Sequence, residues 1–232
     1  MRGLSKLIAV VAGVALLVAV AGTTASAATV TTITSSWVPF AFALSPGSQS
    51  INLPQFDDSG GKVLTKVTLE MSGDIHANVV AENLSDEAVS NFGVNVVGLV
   101  TGQVKDGLTT LLNLNLGISD AAGPVSVGAF DGVQDLMGTD SHDFGTLSYS
   151  ASNSVSRTDT FTYFIGTGTI PVLISGNGGF SVSGTSASDI ENTSFGSSGS
   201  ARVTYEFTPE PATMALLGLG AAGMWLKRRR GK

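Results

Sequence analysis

Apolar and polar residues alternate through most of the chain, and this period of two predicts β-strands rather than helices. In five segments one face is apolar throughout: Val63, Val67, Leu69 and Met71; Ile75, Ala77, Val79 and Ala81; Phe92, Val94, Val96 and Val100; Leu112, Leu114 and Leu116; and Ala201, Val203, Tyr205 and Phe207. Lys66, Thr68, Glu70, His76, Asn78 and Glu82 are predicted on the opposite, polar face. Further short strands are predicted near 29–37, 124–129, 144–151, 160–165, 169–175 and 179–184.

Glycine and Asp or Asn punctuate these strands, as turns require, at 58–61, 105–107 and 175–179. The segment 129–136 is predicted to form a helical turn, and three prolines (Pro39, Pro46 and Pro54) indicate an irregular or edge strand at the start. No long stretch has the 3.6-residue period of an amphipathic helix. The fold class predicted is therefore all-β, a single antiparallel β-sandwich over residues 28–208.

The first 27 residues have the three parts of a secretory signal peptide. Arg2 and Lys6 precede an apolar run from residue 7 to about 21, and small residues follow. Signal peptidase accepts small side chains at the −3 and −1 positions, which Ala25 and Ala27 provide. We therefore expect cleavage after Ala27 and export of the rest of the chain.

The last 24 residues, 209–232, also have three ordered parts. Pro209, Glu210 and Pro211 come first, and the two prolines disfavour helix and keep the backbone extended. An apolar run of about 15 residues follows, enough for roughly 22 Å of helix against a hydrocarbon core of roughly 30 Å. Lys227, Arg228, Arg229 and Arg230 end it. Because Lys/Arg clusters remain cytoplasmic, this segment predicts a short transmembrane helix that holds the body outside the inner membrane.

This tail resembles the PEP-CTERM sorting signal that exosortases recognise in Gram-negative bacteria. Pro209, Glu210 and Pro211 match the motif that gives the family its name, and Arg228 to Arg230 match its basic end. Thr208 precedes the motif, where Val is frequent. The resemblance implies processing by a membrane-embedded exosortase, transient residence in the inner membrane, and delivery to the cell surface or the exopolysaccharide matrix.

Several strings in the body resemble the choice-of-anchor E domain, in the same order along the chain. They are Asn52–Asp57, Leu64–Leu69, Val80–Leu84, Ala129–Gly132 and Phe164–Thr169. That family implies an anchored surface ectodomain and carries no activity that can be transferred to this chain.

Charge is distributed unevenly between the ends and the body. The body has five Lys and Arg residues and seventeen acids, a formal charge of −12, which argues against binding nucleic acid or anionic lipid. The chain has no cysteine, so disulfides and thiolate metal sites are excluded. Nucleophilic hydrolysis has little support, because there is no G-x-S-x-G elbow and only two histidines, His76 and His142.

Asp140, His142 and Asp143 are weak candidates for a cation site, with Asp131 and Asp135 nearby in sequence. No EF-hand-like loop accompanies them, and a solvated acidic turn is the simpler interpretation. We therefore predict no metal, no cofactor and no catalytic residue. The function expected is that of a non-enzymatic structural or adhesive surface protein associated with exopolysaccharide. A carbohydrate-binding module, with or without calcium near Asp140 and Asp143, is the first alternative, and a secreted hydrolase with unmarked carboxylates is the second.

Overall fold

The computed structural model describes residues 29–44 and 46–209, together with Gly218 and Gly220 in the tail. The predicted signal peptide, the cleavage residues Ala25 and Ala27, and the basic cluster therefore lie outside the described residues. Gly218 and Gly220 are both helical. Among the residues that the structure describes, no helix has the length and apolar composition needed to cross a membrane.

Residues 32–207 form one compact unit of two sheets. The strands are β1 (Thr31–Thr34), β2 (Val38–Ala43), β3 (Gly47–Pro54), β4 (Lys62–Asn83), β5 (Val89–Asp106), β6 (Thr109–Val127), β7 (Ser141–Arg157), β8 (Thr169–Ser183) and β9 (Ser188–Pro209). Sheet A has the order β1-β9-β4-β7, with β2 also paired to β9, and sheet B has the order β3-β8-β5-β6. The paired strands run antiparallel, and the predicted antiparallel β-sandwich is confirmed.

The core lies between the two sheets and consists of the side chains that the alternation placed on one face. Ile75, Ala77 and Val79 of β4 are fully buried, as are Val96 and Val100 of β5. Burying such aliphatic side chains contributes about 1.5–3 kcal/mol each for the larger ones. At one end of the core, the ring of Phe56 packs against Tyr205 at 5.5 Å and Phe207 at 5.2 Å between centroids.

Two of the predicted turns are confirmed. The turn at 58–61 contains Gly60 and Gly61 at φ 77° and 71°, and Asp57 Oδ1 accepts a hydrogen bond from the Ser59 N–H at 2.9 Å. That backbone hydrogen bond lowers the pKa of Asp57. Gly107, at φ 57°, closes the β5–β6 hairpin between Asp106 and Thr109.

Other local predictions are wrong. Val63 is 54% exposed and its neighbour Leu64 is buried, so the predicted core face of β4 does not include Val63. Residues 160–165 contain a 3-10 turn over Thr162–Phe164 instead of a strand. Residues 129–136 contain no helix, and residues 124–127 are the end of β6 rather than a separate strand.

Candidate functional site

The sorting motif follows the last core strand without a spacer. β9 ends at Pro209, the first residue of the motif, while Glu210 and Pro211 lie outside the described residues. Just before it, Tyr205 and Phe207 are buried, and the Glu206 carboxylate pairs with Lys66 Nζ at 2.9 Å. The last strand of the body therefore includes the first residue of the motif.

A groove of about 430 Å³ crosses β4, β7 and β9 on the outer face of sheet A. The Thr146 hydroxyl donates a hydrogen bond to Asn78 Oδ1 at 2.6 Å within it. Its lining is mostly polar and includes no aromatic ring: Asn78, Val80, Asp143, Gly145, Thr146, Glu191 and Thr193. Such a surface offers hydrogen-bond donors and acceptors to a polar ligand, without a ring on which a sugar stacks.

Sheet B has a second groove, of about 360 Å³, which lies where β3, β5 and β8 adjoin. Leu99 and Pro46 give it an apolar side, and Thr101, Ser175 and Asn177 give it a polar side. The hydroxyl of Thr101, on β5, also donates a hydrogen bond to Asn115 Oδ1, on β6, at 3.0 Å. This groove contains no acidic or histidine side chain.

The outer face of sheet A brings together Asp74, His76 and Ser198, three residue types found in hydrolase triads. His76 Nδ1 lies 3.1 Å from Asp74 Oδ2, but the Ser198 hydroxyl donates to Asp74 Oδ1 at 2.6 Å. His76 Nε2 faces the backbone at Gly196, where an added Cβ would stand 2.7 Å away. A nucleophilic serine must instead donate to the histidine, so this cluster is not arranged for nucleophilic catalysis.

The structure separates the acidic residues that the sequence grouped. Asp140 is fully buried and its Oδ2 accepts from the Asp131 N–H at 2.9 Å, so the predicted solvated turn is wrong at this position. Asp143 is exposed and accepts from the Gly145 N–H at 2.8 Å. The His142 ring packs edge-on against Phe144 at 4.8 Å. Over residues 29–44 and 46–209, no three acidic or histidine side chains stand ready to hold a metal ion.

Glu82 is the residue that the sequence analysis missed. Its position in the alternation places it on the polar face of β4, yet its side chain is fully buried. The Leu136 N–H donates to Glu82 Oε2 at 3.3 Å, so the segment between β6 and β7 covers this end of the sheet. Neither strand alternation nor spacing identifies a loop that folds back over a sheet.

The model of the PEP-CTERM protein-sorting motif matches residues 207–230. That stretch includes the Pro209–Pro211 motif and the basic cluster 227–230. The resemblance of the tail is thereby confirmed, whereas the resemblance of the body to choice-of-anchor E stays a prediction. No curated protein matches the chain.

Solved structures similar to this chain include those of infectious bursal disease virus. The D431N mutant VP2 protein of infectious bursal disease virus, in derived T=1 particles, is 14% identical, with a TM-score of 0.25 over 77% of this chain and 32% of that one. The structure of the infectious bursal disease virus Gx strain is 13% identical, with a TM-score of 0.24 over 80% and 33%. The chain spans about a third of the length of these structures, and at such scores the likeness carries no argument.

Proposed function

The PEP-CTERM motif marks the chain as an exported protein that an exosortase processes, and we propose that its mature form is a non-enzymatic structural or adhesive component of the cell surface. The match covers the tail, where recognition and cutting take place. It therefore supports export and exosortase processing, while the role of the body is the part that we propose.

The position of the motif is the observation that carries this proposal. β9 ends at Pro209, so the motif begins at the last residue of the sheet, and its two prolines disfavour a helix at this point of the sequence. The apolar run behind it is shorter than a comfortable membrane span, and the basic cluster fixes its orientation. A short, oriented segment behind an extended backbone suits temporary anchoring followed by cleavage.

Two features of the body support a non-enzymatic role. In the Asp74–His76–Ser198 cluster the serine hydroxyl donates to the aspartate and not to the histidine, so the histidine does not activate the serine. The carboxylates of Glu82 and Asp140 are fully buried and cannot be reached by a substrate. The body also carries a formal charge of −12, which favours a soluble surface layer that repels its own copies.

The test is to replace Pro209, Glu210 and Pro211 with alanine in the full chain. We expect this variant to remain at its larger size in the inner membrane, because the exosortase has lost its recognition site. Thr208→Val, which leaves the motif intact, is the matched control and should be trimmed normally. Normal trimming of the triple-alanine variant would contradict exosortase processing.

Carbohydrate binding is the second candidate, and the groove on sheet A favours it. Asn78, Thr146 and Glu191 present amide, hydroxyl and carboxylate groups at a concave surface, and such groups hydrogen-bond to sugar hydroxyls. Co-sedimentation with the exopolysaccharide of the producing cells measures this binding. Glu191→Gln should reduce the bound fraction severalfold, and Asp106→Asn at the far end of β5 should not. Equal retention of both variants would remove this candidate.

A further inference from the structure

The outer face of sheet B has no charged side chain over most of its area. This neutral face consists of every second residue in four stretches of neighbouring strands: 48–52, 95–103, 113–119 and 171–181. The residues between them face the core, where Val100 for example is fully buried. None of the four stretches contains Asp, Glu, Lys, Arg or His. The neutral face therefore spans all four strands of the sheet.

The charges of the body lie elsewhere. The outer face of sheet A carries the ion pairs Lys66–Glu206 and Arg202–Glu70. The body as a whole has a formal charge of −12. Two such bodies repel each other, and the repulsion is smallest where neither copy presents a charge. The charge distribution therefore directs any contact between copies to the neutral face.

The neutral face also exposes apolar side chains at its centre. Val97, Leu99 and Leu173 are 52%, 43% and 40% exposed. Val97 and Leu99 are neighbours on one face of β5, because side chains two residues apart in a strand point the same way. Leu99 lies opposite Asn177 of β8, so it belongs to the two central strands of the sheet. Covering these side chains removes apolar surface from water, which favours association.

The polar side chains of the neutral face suit contact with an identical surface. The Thr101 hydroxyl donates to Asn115 Oδ1 at 3.0 Å, and Gln103 Nε2 donates to Asn113 Oδ1 at 3.1 Å. These cross-strand hydrogen bonds hold the side chains in place, which lowers the entropy lost on binding. Amides and hydroxyls both donate and accept, so the same groups on a second copy offer matching partners. A two-fold symmetric dimer brings such a patch against itself.

The size of the neutral face is enough for a weak dimer. Its length from 95 to 103 is about 27 Å and four strands are about 19 Å wide, from the rise per residue and the spacing of strands. Because β3 covers only part of that length, the area is about 500 Å² per copy, or about 1,000 Å² for a pair, which is the lower limit for a specific interface.

We propose that the neutral face is a dimerisation surface, on which a second copy of this chain packs face to face. Two sheets in such contact lie about 10 Å apart, with strand directions within about 30° of each other. The charge of −12 keeps copies apart on their other sides, so it confines contact to one face. The proposal goes beyond the role proposed above, because it is independent of exosortase processing and says how two copies contact each other.

The test is sedimentation velocity of the full-length chain in mild detergent, over protein concentrations in the micromolar range. We expect a reversible equilibrium between monomer and dimer. Raising the salt from about 0.01 M to about 1 M shortens the Debye length from roughly 30 Å to roughly 3 Å. The dissociation constant should then fall severalfold, because screening weakens the repulsion between the bodies. A dimer held by ion pairs would respond in the opposite direction.

Leu99→Glu is the informative variant, since it places a carboxylate at the centre of both faces. It should raise the dissociation constant at least about tenfold, because like charges meet in the interface. Ser152→Glu is the matched control: Ser152 is exposed and lies opposite Ser72 in sheet A, so it adds the same charge on the other side. It should dimerise nearly as the wild type does. Equal melting temperatures of both variants and the wild type would show that the fold is kept.

Disulfide trapping gives a second measurement that does not depend on an added charge. The chain has no cysteine, so one introduced thiol reports only contacts between copies. Under mild oxidation, Asn177→Cys at the centre of the neutral face should form covalent dimers severalfold faster than Ser152→Cys on sheet A.

Three results would overturn the proposal. The first is a wild type that stays monomeric at every protein and salt concentration. The second is equal association of the wild type and Leu99→Glu, which would place the contact in the apolar tail or on another face. The third is a monomeric wild type that binds dextran, an uncharged polysaccharide, while Leu99→Glu does not, which would assign the neutral face to a glycan.

Discussion

Asn83 holds several segments of the body together through its fully buried amide. Its Nδ2 donates to the main-chain oxygens of Glu87 at 2.9 Å and Gly128 at 2.8 Å. Its Oδ1 accepts from the Ser85 N–H at 3.1 Å and the Thr185 hydroxyl at 2.6 Å. All four hydrogen-bonding positions of the amide are therefore satisfied. This side chain fixes the start of the loop that covers Glu82 and Asp140.

Asn83→Ala should therefore destabilise the body by about 3 kcal/mol or more, since it removes four part-buried hydrogen bonds that contribute about 0.5–1.5 kcal/mol each. Asn78→Ala is the matched control on the same strand, because Asn78 is exposed and has one side-chain hydrogen bond, to Thr146. Its effect should stay below about 1 kcal/mol. Urea unfolding of the full chain measures both, and equal losses would contradict this role of Asn83.

Tyr205 should make stability fall at high pH. Its hydroxyl donates to the main-chain oxygen of Pro54 at 2.8 Å, and burial raises its pKa. The unfolded state releases this proton above about pH 10 and the folded state does so only at higher pH. The stabilising contribution is thus complete below pH 10 and declines above it, by about 1.4 kcal/mol per pH unit.

The measurement is the free energy of unfolding between pH 9.5 and 11.5 for the wild type and for Tyr205→Phe. The wild type should lose stability more steeply above pH 10, while the variant is less stable at neutral pH by about 1 kcal/mol because it lacks the hydrogen bond. Parallel pH profiles for the two proteins would show that Tyr205 ionises freely in the folded state.

Strand β5 shows how an element is shaped by the opposite sheet. Its core face alternates valine with glycine from Val96 to Val104, and Gly98 and Gly102 leave the space that Ile75 and Met71 of β4 fill. A Cβ on Gly98 would stand 2.8 Å from Ile75 Cγ2, and one on Gly102 would stand 3.3 Å from Met71 Sδ. The two sheets therefore interdigitate at these positions.

Gly98→Ala should cost about 1–3 kcal/mol, because the new methyl group overpacks the core. Gly117→Ala on β6 is the matched control, since nothing lies within 4 Å of the added Cβ. It should be neutral or slightly stabilising, because alanine lowers the entropy of the unfolded chain. Thermal unfolding distinguishes them, and a neutral Gly98→Ala would contradict the close packing of β4 on β5.

Close contacts at glycine residues also explain why the turn predicted at residues 175–179 is wrong. Residues 175–179 have the composition of a turn, yet β8 runs through them as one strand paired with β5. A Cβ added to Gly176 would stand 2.6 Å from Leu44 Cδ2. One added to Gly178 would stand 2.4 Å from Phe195 Cζ. These glycines allow other parts of the chain to approach closely, which a single sequence does not reveal.

The strands with clear alternation were predictable because each has one face against the core, as Ile75 and Val96 show. The burial of the acidic residues was only partly predictable. The sequence singled out Asp140 but assigned Glu82 to a solvated face, since the loop that buries Glu82 is set by tertiary contacts such as that from Leu136. The sorting motif of the tail was predictable, because its three parts are local and ordered along the chain.

At the scale of the whole molecule, the sorting motif follows the body without a spacer. The basic cluster at the other end of the apolar run should fix the orientation of the tail in the membrane. Replacing Lys227, Arg228, Arg229 and Arg230 with glutamine should lower the processed fraction severalfold, because the positive charge that keeps this end cytoplasmic is removed. Lys105→Gln removes one exposed cation of the body and should have no effect. Immunoblots of membrane and surface fractions measure the outcome, and unchanged processing would show that the cluster is dispensable.

We propose that the C-terminal segment is a temporary anchor, which the exosortase removes at the inner membrane before the protein reaches the cell surface. Mass spectrometry of the mature surface protein tests it most directly, by locating the last residue of the chain. We predict that the recovered peptides end near Pro209–Pro211 and that none covers the apolar run. Recovery of intact peptides reaching Lys232 from the surface protein would contradict the claim and make the body a permanently tethered ectodomain.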